Sequence, residues 1–218
     1  MIKIRNVIKD FGKGAVLKDI NLTIEKGERV MVVGGNGSGK TTLLRCIIGS
    51  YSFEGQISIL DMDARKDKSR LASFIGYVPQ VPPPILMSVE QLIDFVADVD
   101  GNENEKDLIY QMLDKLNFEK SGIKRHFKKL SGGMQKKVLV AIALGRQPDI
   151  LILDEPLAYI DPQSRMEISR AINEMPAELT LIYTSHKEEK GSIKADRIIE
   201  MDNGLVVRDE PYSDEVEN

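Results

Sequence analysis

No tryptophan occurs in the 218 residues, cysteine occurs once, at Cys46, and histidine twice, at His126 and His186. A single cysteine excludes an internal disulfide, and within Cys46-Ile47-Ile48 it fits a small buried side chain better than a redox group. One cysteine and two scattered histidines do not make a transition-metal site. Long apolar runs are missing as well. Val138 to Leu144 is the longest strongly apolar stretch, far short of the ~20 residues a membrane-spanning helix needs. The opening Met1-Ile2-Lys3-Ile4-Arg5 lacks the apolar core of a secretion signal, so a cytoplasmic protein is expected. There is no excess of positive charge: 30 Lys and Arg stand against 34 Asp and Glu, a net charge of −4. That balance argues against nucleic acid as a partner. With 42% hydrophobic and 29% charged residues, the chain has the composition of a globular protein. Its length suits one domain with a subdomain.

What is present has a clear order. Ile20, Leu22 and Ile24 alternate with polar neighbours, the period of a half-buried strand. Val30 to Val33 are apolar without alternation, as in a central strand covered on both faces. Further strands are expected at Gln56–Leu60, Phe74–Val78, Ile150–Leu153 and Leu179–Thr184. Between about 86 and 146 the pattern turns helical. Ser88-Val89-Glu90-Gln91 has the spacing of a capping box, and Leu92, Phe95, Val96, Leu108, Met112, Leu113 and Leu116 recur at helical spacing. A helix over Pro162–Asn173 starts with Asp161 as its cap and proline in its first turn. Arg197 to Met201, Asp202-Asn203-Gly204 and Leu205 to Arg208 read as a closing hairpin, and Pro211 to Asn218 as a fraying acidic tail. Strands alternating with helices predict an α/β fold. Its central sheet is mainly parallel, with antiparallel strands before it and a helical insertion within it.

Gly34-Gly35-Asn36-Gly37-Ser38-Gly39-Lys40-Thr41 follows the strand at Val30 and precedes a helical stretch from Thr42. Strand, glycine loop, lysine, hydroxyl and helix are the layout of a P-loop. Glycines let successive N–H groups face one phosphate chain, and the free N–H groups of the helix add to them. Lys40 reaches the outer phosphates and the Thr41 hydroxyl holds Mg²⁺. Ile150 to Leu153 ends on Asp154-Glu155, whose side chains must diverge because strand residues alternate. Beside a P-loop, Asp154 is placed to orient Mg²⁺ or its waters and Glu155 to hold an attacking water. Ser131-Gly132-Gly133 opens an apolar helix, where Ser131 caps the helix or donates to an anion.

These segments resemble the ATP-binding cassette ATPases, the motor subunits of ABC transporters. The resemblance runs nearly the whole length and rests on motifs in the family's order. Gly34 to Thr41 matches Walker A, and Gln80 in Tyr77-Val78-Pro79-Gln80 matches the Q-loop glutamine at Mg²⁺ or water. Leu130 to Gln135 matches the signature motif, Ile150 to Glu155 matches Walker B with its catalytic glutamate, Asp161 matches the aspartate ending the D-loop and His186 matches the histidine that contacts the γ-phosphate. Phe11 falls where the family stacks an aromatic ring on adenine. The resemblance implies a P-loop NTPase fold and ATP and Mg²⁺ as cofactors. It implies nucleotide contacts from Phe11, Gly34 to Thr42, Ser131 to Gly133 and Asp161, and metal contacts from Thr41, Gln80 and Asp154. It further implies a head-to-tail dimer of cassettes, with Ser131, Gly132 and Gly133 of one covering the nucleotide held by Lys40 of the other. A separate integral membrane permease would hold the dimer at the cytoplasmic face. Departures stand at Met134, Leu157, Tyr159 and Lys187. Tyr159 either packs at the dimer seam or fills the core. Ile85, Leu86, Met87, Phe95 and Tyr110, beyond the stiff run Pro82-Pro83-Pro84, are expected to line the permease groove. Two other functions fit the same P-loop: a soluble assembly or regulatory ATPase, and a small-molecule kinase.

Overall fold

Residues 1–101, 104–186 and 192–212 are described by a computed structural model. Lys187 and the acidic residues 213–218, singled out above, lie outside the described residues. The apolar-polar alternation of the first strands produces an antiparallel sheet. Ile2–Asp10 (β1) pairs with Ala15–Ile24 (β2), Ile2 opposite Ile24 and Ile4 opposite Leu22. On its other side β1 pairs with Glu54–Ile59 (β4), which turns back into the short Met62–Asp63 (β5). The strand order is β2-β1-β4-β5.

The second sheet has six strands in the order β10-β9-β3-β8-β7-β6. They are Arg29–Val33 (β3), Ile75–Val78 (β6), Ile150–Leu153 (β7), Thr180–Ser185 (β8), Arg197–Asp202 (β9) and Leu205–Pro211 (β10). All neighbours run parallel except the β9–β10 hairpin. Period-two alternation divides its side chains between two cores. Val30, Val32, Ile150, Ile152, Ile182 and Ile199 face the antiparallel sheet and the helix Lys40–Ile47 (α1). Met31, Val33, Leu151, Leu153, Leu181 and Ile198 face the helical layer. Both faces are covered, which is why these strands read as unbroken apolar runs.

After the single-turn helix Lys68–Leu71 (α2), the helical layer holds Val89–Asp100 (α3), Glu105–Lys115 (α4), Gly132–Gly145 (α5) and Pro162–Asn173 (α6). The expected capping box closes the start of α3: Ser88 Oγ accepts from the Gln91 N–H, and Gln91 Oε1 accepts from the Ser88 N–H. Asp161 caps α6 through the Ser164 N–H, and Pro162 sits in its first turn. Ile85 and Tyr110 pack against the helical core, whereas Leu86, Met87 and Phe95 stay exposed. No helix among the described residues is long and apolar enough to cross a membrane.

Helices α5 and α6 are pinned by a polar knot. Glu167 on α6 is ion-paired with Lys137 on α5, and its Oε1 accepts from Asn117 Nδ2 at 3.0 Å and Gln163 Nε2 at 2.8 Å. These bonds hold the Glu167 carboxyl below the usual carboxylate range against the opposing effect of burial. Both charges are buried, so removing one strands the other. Glu167→Ala is expected to cost about 3 kcal/mol of unfolding free energy. Chemical denaturation reads this directly, and a loss under about 1 kcal/mol would contradict a buried pair.

Candidate functional site

Four neighbouring parallel strands, β3, β8, β7 and β6, end on the same edge of the sheet. The loop Gly34–Gly39, His186, Asp154-Glu155 and Pro79-Gln80 leave from those ends. Parallel sheets place their ligand loops there, because all carboxyl ends fall on one side.

The glycine loop is shaped by what it must pass. Gly34 has φ 152, and a Cβ there would collide with the Met201 carbonyl oxygen of β9. Gly39 enters α1 with φ 107 and no side chain caps that helix, so its first N–H groups stay available to an anion. Lys40 is 5% exposed and donates to the carbonyls of Gly34 (2.6 Å) and Gly35 (3.2 Å). Burial lowers its pKa, against the raising effect of Glu155 and Asp154. The β9–β10 turn braces the loop from below: the Gly204 N–H donates to Ser38 O and the Lys18 N–H to Gly204 O.

The two carboxylates diverge, but through a backbone bend at Glu155 and not through strand alternation, since β7 has ended at Leu153. Asp154 is fully buried, and its Oδ1 accepts from Thr41 Oγ1 at 3.1 Å and Thr184 Oγ1 at 2.9 Å. Burial raises its pKa, opposed by those two hydroxyl bonds. Its Oδ2 is buried with no hydrogen-bond partner. Glu155 leaves the strand at φ 47, and its N–H donates to Thr184 Oγ1 at 2.8 Å. Its Oε2 accepts from Gln80 Nε2 at 2.7 Å and lies 2.9 Å from His186 Nε2. Asn36 to Thr42, Gln80 and Glu155, with Val16, line one cleft.

Phe11, Ser131 to Gly133 and Asp161 are among the expected site residues that do not line that cleft. Phe11 is half exposed on the β1–β2 turn, edge-on to Tyr51 (ring centres 5.2 Å apart), with Lys9 Nζ 4.5 Å from its ring centre. Ser131 caps α5 by accepting from the Met134 N–H at 3.3 Å. Gly132 and Gly133 pack against the 159–164 segment: a Cβ on Gly133 would lie 2.9 Å from Asp161 Oδ2 and 3.0 Å from Ser164 Oγ. Asp161 spends its carboxylate on α6, bonded to the Ser164 N–H (2.9 Å) and Oγ (2.7 Å), which holds its pKa low. Tyr159 is 87% exposed with φ 58, so it does not fill the core. Met134 packs into the helical core and Gln135 donates to Phe127 O, so the change from the usual signature leaves Ser131 to Gly133 in place.

The ABC transporter family profile matches residues 17–158. The chain belongs to the ABC transporter family. This cassette is an ATPase of that family. It is 32% identical over 219 residues to the arginine transport ATP-binding protein ArtM of Bacillus subtilis, covering 96% of this chain and 90% of the relative. With the phosphonates import ATP-binding protein PhnC 2 of Oceanobacillus iheyensis it shares 33% identity over 243 residues, 100% of this chain and 94% of that one. The sulfate/thiosulfate import ATP-binding protein CysA of Synechocystis sp. is 35% identical over 211 residues, but the 94% of this chain that aligns spans only 59% of it. Among solved structures, the ATP-binding cassette MJ0796, in a dimeric post-hydrolysis state bound to ADP and Pi, superposes with a TM-score of 0.84 at 27% identity. That match covers 97% of this cassette and 98% of MJ0796.

Thr184 and Lys136 were not legible as site residues. Thr184 sits in an apolar strand without a motif. Lys136 Nζ, on α5, donates to the carbonyls of Pro79 and Gln80, both at 3.0 Å, and burial lowers its pKa to about 8. In the sequence Lys136 stands between Gln135 and Lys137, ahead of the apolar run from Val138, so nothing in its neighbours marks it as buried. Thr184→Val keeps the shape of the side chain but strands the Glu155 N–H and removes a donor from Asp154. It is expected to lower stability by about 1–3 kcal/mol and to slow ATP turnover. Thermal melting and a phosphate-release assay check this; unchanged values in both would mean the hydroxyl is idle.

Proposed function

We propose that the chain is the ATP-hydrolysing subunit of a transporter whose permease is a separate membrane protein, and that two cassettes close on two ATP molecules. In this reading 1–218 is one cassette, with the helical subdomain at about 86–146. Lys40 and the N–H groups of the loop and α1 grip the phosphates. Glu155 orients the attacking water and takes its proton, with Gln80 and His186 holding the carboxylate in place. His186 also contacts the γ-phosphate, and Phe11 offers a ring to the adenine.

Mg²⁺ fits the residues present. Thr41, Gln80 and Asp154 offer oxygen donors, and the buried, unpartnered Oδ2 of Asp154 is available to a cation or its water. Mg²⁺ is usually held by one or two carboxylates together with substrate phosphates and waters. When bound, the ion would neutralise charge developing on the transferred phosphoryl group.

The observation that carries this reading is the Glu155 carboxylate, held between Gln80 and His186 at the mouth of the P-loop cleft. Ser131 to Gly133 lie beside Tyr159 and Asp161 and not over the chain's own Lys40. That placement supports their use on a second cassette, as does the dimeric form of MJ0796. The exposed Leu86, Met87 and Phe95, near Gln80 in sequence, are the surface offered to a permease at the cytoplasmic face. The relatives are named for different cargoes (arginine, sulfate/thiosulfate and phosphonates), which supports leaving cargo choice to the permease.

Glu155→Gln is expected to retain ATP binding, lose about 10²–10⁴ in turnover, and accumulate as an ATP-bound dimer on size exclusion. Wild-type turnover would remove Glu155 from its role. Ser131→Arg should bind ATP yet fail to dimerise with it; ATP-driven dimerisation at normal turnover would refute the shared site. Purification from native membranes should bring an integral membrane protein along, and its absence would favour a soluble ATPase.

A further inference from the structure

Lys136 lies five residues beyond the Ser131 cap, on the second turn of α5, and is 2% exposed. A buried ammonium is expensive unless its donors are met. Two of its three donors go to consecutive backbone carbonyls, Pro79 O and Gln80 O, each at 3.0 Å. Those carbonyls belong to the segment leaving β6, whose Gln80 side chain donates to Glu155 Oε2 at 2.7 Å. A helix that only filled the core would carry an apolar residue here at lower cost. The lysine instead clamps the Gln80 backbone while the Gln80 amide reaches the hydrolytic carboxylate. Immediately after the clamp, Pro82-Pro83-Pro84 stiffen the chain toward the exposed Leu86 and Met87.

We infer that Lys136 is a positioning residue for hydrolysis, fixing the Gln80 backbone so that Gln80 aligns Glu155, and thereby tying the helix that presents Ser131 to the carboxylate. The inference rests on the proposed role of Glu155. It makes α5 a two-ended element. Its first residues are presented to the second cassette, and its next turn grips the loop that orients the water in its own cassette. A shift of α5 on dimer closure then reaches Glu155 through two hydrogen-bonded steps.

The test is a double-mutant cycle on the full chain with Lys136→Met, Gln80→Ala and the pair, read as kcat and KM for ATP alongside Glu155→Gln. Lys136→Met should lower kcat about tenfold or more with KM changed by less than about threefold. In the Gln80→Ala background it should cost less than about twofold further, because both changes remove one pathway. Hydrogen exchange of the free protein should quicken over residues 77–85 in Lys136→Met and stay unchanged over 150–155. If the methionine variant does not fold, Lys136→Gln carries the same cycle. A double variant showing the product of the single losses, full turnover in Lys136→Met, or exchange raised equally in both segments would overturn the inference. Glu155→Gln separates the two ideas. If it slows hydrolysis while the cycle is multiplicative, only the lysine linkage falls; if it hydrolyses normally, the site reading falls and the linkage with it.

Discussion

The backbone bend at Glu155 is the constraint on which the site depends. Asp154 continues β7, and its carboxylate is buried beside Thr41 and Thr184. A Glu155 that simply extended the strand would face the opposite side. At φ 47 it swings instead to Gln80 and His186. A non-glycine residue there costs about 1–2 kcal/mol. The Glu155 N–H bond to Thr184 Oγ1 helps offset that cost. The same threonine hydroxyl donates to Asp154, so one side chain holds the Asp154 carboxylate and the Glu155 backbone at once.

The fold makes that bend useful. Parallel pairing of β3, β8, β7 and β6 brings four loop exits together, and apolar layers on both faces keep the strands from shifting register. The antiparallel sheet buries one face together with α1; the helical layer buries the other. The helices also contact the loops of the site. α5 starts at Ser131, is locked to α6 by Lys137 and Glu167, and touches the Q-loop through Lys136. The chain is thus a nucleotide site held on a rigid sheet edge and flanked by helices that can act on it.

Much of this was legible in the sequence where one residue type has one physical use. The glycine loop with Lys40 and Thr41, the apolar strand ending on Asp154-Glu155, and the caps at Ser88 and Asp161 all stand where the pattern places them. Two hairpins show where legibility stops. Asn203-Gly204 turns with positive φ at both residues, and the Asn-Gly pair announces it. Leu60-Asp61 turns with the same signs between β4 and β5, yet leucine gives no such signal. The expected strand therefore ran on to Leu60, and β5 went unseen. Contacts between distant segments were equally silent. Thr184 on Asp154, Lys136 on the Pro79 and Gln80 carbonyls, and the Gly204 turn under Ser38 join residues whose spacing in the chain carries no period. Tyr159 was ambiguous for a related reason: an aromatic ring suits a core or an interface, and its exposure rules out the core alone.

The central claim is that Glu155 is the group facing the attacking water when the phosphates lie against Lys40. A crystal structure of the cassette with Mg²⁺, ADP and vanadate, a mimic of the transferring phosphoryl group, tests it most directly. The account predicts the vanadate between Lys40 Nζ and His186, with its apical oxygen within hydrogen-bond distance of the Glu155 carboxylate. A vanadate whose apical oxygen is bound by some other side chain, with Glu155 turned away from it, would contradict the account.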